Sequence, residues 1–581
     1  MSSSVLASMW MPSLDDLARL GPLFSLAGTI AAILIAALIV GRNWRVTGGL
    51  ALIGGLVTAL LSWRGWTGLS GNWAGMVPPP ASASSFAPML VTDQAGYFFI
   101  FLLSIFLVLI TGMWFHGREP GVPERPAQRR DAVEFFVLLV GSAFGMALMV
   151  STANLLMIIL AVESASLPSY GLAGFRKKNR LAAEASLKYI LFGAVTSAIM
   201  IYGVSLLYGQ FHTLDLATIG GVIATGQGGP ASHVLMGVGL VAFLVGVAFK
   251  ISAVPFHFWC PDVFEGASIE VTTWLSVVSK GAGLCLLLRV LTVVTAPINY
   301  SSEVHVQMAR TVLSSEPHAA PFAGTLQYVV FALAIMAAIT CTIGNFAAYH
   351  QTNLKRLLAF SSIAHAGYML MAAAIVGYPG SVAAQGGSPA FSVFLIYITI
   401  YLVMNFGAFG CVAMVYWATG KETIDAYRGL ARRSPVVAVA MTVCLFSLVG
   451  LPPMAGFIAK WYLLFGLYAS GPIGLLLIIV AVVNTLISLY FYARIAYAMC
   501  FVDDGQPAIS VPLLGRVAAT ACAAAVLLFG TVWAGKIKEF SDERSRNLYA
   551  VSRPTQPVRQ APPVIKTVES SSESGIPLTA D

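Results

Sequence analysis

About 14 stretches of this chain stay apolar for roughly 20 residues each, the length of helix that crosses a hydrocarbon layer. They lie near 22–40, 46–62, 94–114, 132–150, 152–172, 182–208, 232–258, 268–296, 325–346, 353–377, 391–418, 434–469, 471–498 and 512–533. No water reaches the backbone in hydrocarbon, so each stretch must satisfy its own amides as an α-helix. The expected fold is an all-α, polytopic membrane protein. Composition agrees: charged residues are 10% of the 581, against roughly 25% in soluble domains.

The connections carry the charge. Those after odd-numbered spans, such as "GRNWR", "FRKKNR" and "KETIDAYRGLARR", hold about 18 Lys and Arg; those after even-numbered spans hold about two, Arg64 and Arg310. The net charge of +8 is thus a topological signal, and nucleic acid is not an expected partner. The odd connections are expected in the cytoplasm of a bacterial cell, with both termini outside the inner membrane. The loops 63–93, 210–231 and 378–390 then face the periplasm. The N-terminus lacks the basic region of a cleaved signal peptide. The polar tail 534–581 reads as disordered or partner-bound. The seven cysteines are scattered without a C-x-x-C, which argues against iron–sulfur clusters, structural zinc or a disulfide framework. No P-loop or dinucleotide fingerprint occurs, so no cofactor is expected in this chain.

Two spans contain breaks. The seventh has Pro255 and the twelfth has Pro452 and Pro453, each with a nearby lysine, Lys250 and Lys460. They are five spans apart, and a five-helix unit repeated once returns inverted. Paired interruptions of this kind point to inverted repeats with a path at mid-membrane. The expected organisation is an N-terminal region 1–130, a first half 131–296, a second half 325–498, a final helix 512–533 and the tail.

Six titratable groups fall deep in spans: Glu163, Lys188, Lys250, Lys280, His365 and Lys460. A charge at a helix centre costs roughly 2.5–3.5 kcal/mol, so such residues usually face a bundle interior and mark ion or proton paths. Glu163 and Lys188 are expected to form a coupled pair. Plainer roles compete. Lys188 can snorkel to the surface, Glu163 can fasten helices, and His365 is equally a packing residue. Arg289 is expected to snorkel outward. Asp262, Glu265 and Glu270 read as solvated loop charges, and Lys355 and Arg356 as anchors for the tenth span.

Six segments, in order from about 130 to 500, carry a family resemblance: "VESASLPSYGLAGF", "EASLKYILFGAVTSAIMIYG", "FKISAVPFHFWCPDVFEGA", "TTWLSVVSK", "NLKRLLAFSSIAHAGYM" and "GLPPMAGFIAKWY". They resemble the N-type antiporter-like membrane subunits of proton-pumping NADH–quinone oxidoreductase, respiratory complex I. The resemblance implies discontinuous seventh and twelfth helices and proton translocation. Glu163 and Lys188 match the charged pair of the first half, Lys250 the lysine at the first break, Lys280 the connecting lysine and Lys460 the terminal lysine. It also implies membrane-arm and redox-arm partner subunits that hold NAD, FMN, iron–sulfur clusters and quinone. One departure stands out: where the family usually has an "APxPVT"-like stretch, this chain has "ASIEVT", with Glu270. The alternative function is a subunit of a monovalent cation/proton antiporter complex; a third is a non-pumping scaffold, against which the number of intramembrane lysines argues. The topology predicts that a tag after residue 581 is reached by a membrane-impermeant reagent from the periplasmic side. Labelling only from the cytoplasm would overturn the span count or the orientation.

Overall fold

The computed structural model describes residues 14–67, 89–91, 93–117, 131–225, 233–309, 323–376, 389–468, 470–502, 505, 507–509, 511–531 and 535. Most of the 63–93 and 378–390 loops, part of 210–231, and the tail lie outside the described residues. The main helices are α1 (Gly21–Ile39), α2 (Trp44–Thr67), α3 (Gln94–His116), α4 (Ala132–Val150), α5 (Leu155–Ala173), α6 (Arg180–Phe211), α7 (His233–Ile251) and α8 (Trp259–Gly266). Then α9 runs as Ile269–Trp274, a π turn Leu275–Ser279 and Lys280–Ala309. After it come α10 (Ala323–Ala348), α11 (Leu354–Val376), α12 (Pro389–Thr419), α13 (Pro435–Val449), α14 (Ala455–Tyr468), α15 (Gly471–Phe501) and α16 (Leu513–Thr531). Among the described residues, 13 helices are long and apolar enough to cross a membrane. The shorter apolar pair α13 and α14 makes one further, interrupted crossing. The chain is a multi-pass, all-helical membrane protein.

Both expected interruptions are present. α7 stops at Ile251, and α8 resumes at Trp259. α13 stops at Val449, where Gly450 takes φ +88°, a left-handed conformation that glycine adopts without a steric penalty. A side chain there would also press on Lys460: its Cβ would lie 3.0 Å from the lysine Cδ.

The connections sort into two faces. Leu90 bridges Thr152, and Asn154 bridges Asp215, joining the connections after the second, fourth and sixth crossings. Asn353 bridges Thr423, joining those after the ninth and eleventh. Even connections meet even and odd meet odd, as alternating crossings require. The odd set forms the basic-loop face.

Small residues let the helices approach, as in other membrane bundles. Across α10 and α11 the packing is reciprocal: a Cβ at Gly344 would lie 2.6 Å from Ala364 N, and one at Gly367 would lie 2.5 Å from Cys341 N. α9 and α11 are the most enclosed helices, whereas α1, α15 and α16 are largely exposed on the rim. Gly367→Leu is expected to destabilise the protein, since forcing extra bulk into a packed site costs ~1–3 kcal/mol or more. Gly49→Leu, with open space around it, is the control. Equal thermal midpoints for the two variants in detergent would refute this packing role.

Candidate functional site

The site is built outward from the two interruptions. Lys250 occupies the last turn of α7 and is fully buried. Backbone carbonyls at a helix C-terminus lack intrahelical donors and favour a cation. The Lys250 Nζ donates to Ser166 Oγ on α5 at 3.1 Å. Glu163, one turn earlier on α5, acts electrostatically on Lys250 and accepts a hydrogen bond from the Ser197 hydroxyl on α6. The stem of Lys250 lies against Gly283 of α9, where a Cβ would sit 3.5 Å from it.

Gly283 is one turn beyond Lys280, which follows the π turn and is also fully buried. π turns recur at functional sites in α-helices. The Lys280 Nζ donates to Ser362 Oγ on α11 at 2.6 Å and to Cys260 Sγ on α8 at 3.3 Å. Ser362, His365 and Tyr368 follow at three-residue spacing on α11, so they are neighbours along its surface. His365 Nδ1 is 2.9 Å from the Tyr397 hydroxyl on α12, and its ring lies 5.8 Å from that of Tyr368. The Tyr368 hydroxyl is 3.2 Å from Thr485 Oγ1 on α15. Lys460 on α14 closes the row. Its Nζ donates to Thr485 Oγ1 at 3.2 Å and to Val449 O at 2.8 Å, and sits 4.4 Å from the Tyr368 ring centroid.

Five of the six expected residues thus line up from Glu163 through Lys250, Lys280 and His365 to Lys460. Lys188 does not join them, and the expected Glu163–Lys188 pair is absent. Ser197 faces Glu163 and lies nine residues further along α6, about 13 Å of rise, which puts Lys188 out of reach. Lys188 instead binds Glu184 and Asp262, each at 2.7 Å. Asp262 also binds Arg356 at 2.8 Å, and Arg356 binds Glu265 at 2.6 Å. Asp262 and Glu265 are therefore held in an ionic cluster on the basic-loop face, and Glu270 is buried; none of the three is a free solvated charge. Arg289 does not snorkel. It is buried and makes a two-pronged bond to Asp93, at 2.6 and 2.8 Å. Lys355 anchors α11 as expected, through Glu422 at 2.7 Å and Ala267 O at 3.0 Å.

Tyr368 and Thr485 escaped the sequence reading because uncharged residues are ordinary in a span. The spacing of Tyr368 from His365 was the available signal. Among the described residues, no group of three or more His, Cys, Asp or Glu is placed to hold a metal.

Buried lysines beside interrupted helices, joined by hydroxyl and ring groups, define a class: multi-pass membrane proteins that keep ionisable groups inside the bilayer. Residues 152–315 and 308–488 match the family described as NADH:quinone oxidoreductase/Mrp antiporter, TM. The chain belongs to this family. It is 39% identical over 478 residues to NADH-quinone oxidoreductase subunit N of Anaeromyxobacter sp. (strain Fw109-5), covering 80% of this chain and 86% of the relative. It is 37% identical to NADH-quinone oxidoreductase subunit N 2 of Sorangium cellulosum (strain So ce56), covering 87% and 94%. Among solved structures, a chain of respiratory complex I from Thermus thermophilus with bound aureothin superposes with a TM-score of 0.67 and 27% identity, covering 89% of this chain and 98% of that one.

The ionic geometry makes a prediction. Residues in contact couple by about 0.5–3 kcal/mol in double-mutant cycles, whereas separated ones add. Lys188→Ala with Asp262→Ala should be non-additive in proton-pumping rate per assembled complex, and Lys188→Ala with Glu163→Ala close to additive. The reverse pattern would refute the pairing seen here.

Proposed function

We propose that this chain is the N-type membrane-arm subunit of a proton-translocating NADH–quinone oxidoreductase, coupling electron transfer in partner subunits to proton movement across the membrane. NAD, FMN, iron–sulfur clusters and quinone belong to those partners, which include the redox arm. The names of the relatives favour this reading over a cation/proton antiporter subunit. The setting is a bacterial inner membrane, with both termini in the periplasm. The functional units are two inverted five-helix halves, 131–296 and 325–498, each with one interrupted helix.

One observation carries the reading. Lys250, Lys280 and Lys460 make no ion pair among the described residues; their partners are hydroxyls, a thiol and a carbonyl. A hydroxyl both donates and accepts. It can therefore stay bonded to a lysine that has given up its proton, turning from acceptor to donor. Glu163, Lys250, Lys280, His365 and Lys460 form the proton path, and Lys188 acts through the ionic cluster at its edge. Pro255, Pro452 and Pro453 keep the helices open where Lys250 and Lys460 need partners from other helices.

Lys250 provides the test. Lys250→Arg keeps the positive charge but not the exchangeable proton, because a guanidinium is effectively always charged. Lys250→Met keeps apolar bulk without charge. Both variants should assemble normally and lose proton pumping by at least about tenfold per assembled complex, in line with the contribution of positioned proton-transfer groups. The measurement is proton uptake and quinone-linked NADH oxidation in sealed vesicles, normalised to complex on a native gel. Normal pumping in the arginine variant would remove Lys250 as a proton carrier.

A further inference from the structure

Glu270 stands where resembling chains usually have a proline, and the path described above does not use it. It lies in the first turn of α9 on the basic-loop face, where its side chain is 8% exposed. Its carboxylate presses on the end of α3: a Cβ at Gly117 would lie 2.8 Å from Oε1. A carboxylate enclosed at a membrane helix end is costly unless it is paired or used.

Its surroundings connect it in two directions. Toward solvent, Arg176, in the turn after α5, and Lys355, on α11, act on it electrostatically. Lys355 is itself buried and binds Glu422, whose side chain is 20% exposed. The remaining charged and titratable groups on the neighbouring elements are engaged elsewhere. His116 on α3 bonds to Gly112 O, Tyr416 on α12 bonds to Arg176, and Asp262 and Glu265 on α8 are held by Lys188 and Arg356.

Toward the membrane, α9 carries a buried polar series: Glu270, Thr273, Ser276 and Lys280. Glu270, Thr273 and Ser276 are three residues apart, hence neighbours on an α-helical surface, roughly 5–6 Å between Cβ atoms, and Lys280 follows one π turn further on. Thr273 Oγ1 donates to Ile269 O at 2.6 Å, and Ser276 Oγ to Thr273 O at 2.8 Å. Each hydroxyl thus keeps its oxygen as an acceptor. Ser276 lies within the π turn Leu275–Ser279, and Lys280 follows it directly.

We propose that Glu270 is a further proton-carrying residue, loaded from the basic-loop face and discharging along Thr273 and Ser276 to Lys280. The inference rests on the proton-translocation reading. The proton passes from solvent to the Glu270 carboxylate and leaves it for the Lys280 amine; single waters span the gaps between hydroxyls. No bond other than those to the proton forms or breaks.

The test uses the full complex in sealed vesicles. Glu270→Gln should assemble normally, yet slow both pumping and coupled NADH oxidation by at least about threefold, a share of what a positioned proton carrier supplies. The deficit should widen as pH rises and protons become scarce. Glu270→Asp should restore most of the rate, and the double variant Thr273→Val, Ser276→Ala should slow it as Glu270→Gln does. A fastening role gives another pattern: less assembled complex, with rate and pH profile per complex unchanged, and that result overturns the proposal. Should the glutamine variant not assemble, the hydroxyl-free double variant decides, and a normal rate in it overturns the proposal. Lys280→Met separates the two levels. Loss of pumping there with a normal Glu270→Gln removes Glu270 alone, whereas normal pumping in both Lys280→Met and Lys250→Met removes the translocation reading itself.

Discussion

Every backbone amide and carbonyl inside the bilayer must find a partner, and the two interrupted helices are where this constraint shapes the site. Each interruption frees backbone groups, and each is closed from within the protein. Phe249 O accepts from Trp259 Nε1, and Val254 N donates to Thr340 Oγ1. At the second break, Val449 O accepts from Lys460 Nζ, and Gly456 N donates to Ser447 Oγ. Irregular backbone at membrane depth is tolerated only where protein or water supplies such partners. The prolines of the breaks, Pro255, Pro452 and Pro453, are exposed on this chain's surface, whereas the freed groups named here are met by protein partners and the lysines beside them are enclosed.

The enclosure then dictates which helices line the proposed path. α9 and α11 are the most buried, and they hold Lys280, Ser362, His365 and Tyr368 between the breaks. Close approach makes this possible. Gly283 leaves room for the stem of Lys250 and Gly450 for that of Lys460, while Gly344 and Gly367 draw α10 against α11.

Apolar run length gave most of the crossings to within a few residues, because a span is a one-dimensional property of the chain; the helix from Ile269 runs on to Ala309 beyond its expected end at 296. The breaks at Pro255 and Pro452–Pro453 were legible for the same reason: a proline removes a ladder donor wherever the helix lies. Run length also gives depth, so Lys250, Lys280 and Lys460 could be placed near the middle. It does not give azimuth. The height difference along α6 that separates Lys188 from Glu163 was therefore legible, but the azimuth that turns Lys188 to Asp262 on α8, 74 residues away in sequence, was not. Asp262 and Glu270 were misjudged because the connection after α7 looks like an exposed loop, whereas α8 folds it back against α6 and α11. Arg289 was misjudged because its partner Asp93 lies 196 residues earlier.

Seven cations of the structure fall into two groups that composition cannot distinguish. Arg289, Lys355, Arg356 and Lys188 are all ion-paired, with carboxylates between 2.6 and 2.8 Å. A carboxylate partner favours the charged form of a cation, and removing one member of a buried pair strands the other. Such pairs hold helices together, as Arg289 does for α3 and α9. Lys250, Lys280 and Lys460 are bonded instead to groups without net charge. Their bonds do not require the ammonium form, so either protonation state leaves the neighbours satisfied. A lysine row built from carboxylate pairs would fix the fold more firmly and move protons less readily. Hydrogen bonds to neutral groups at both interruptions, and at the connecting helix between them, are therefore what distinguishes the proposed proton path from the ion-paired fasteners of this bundle.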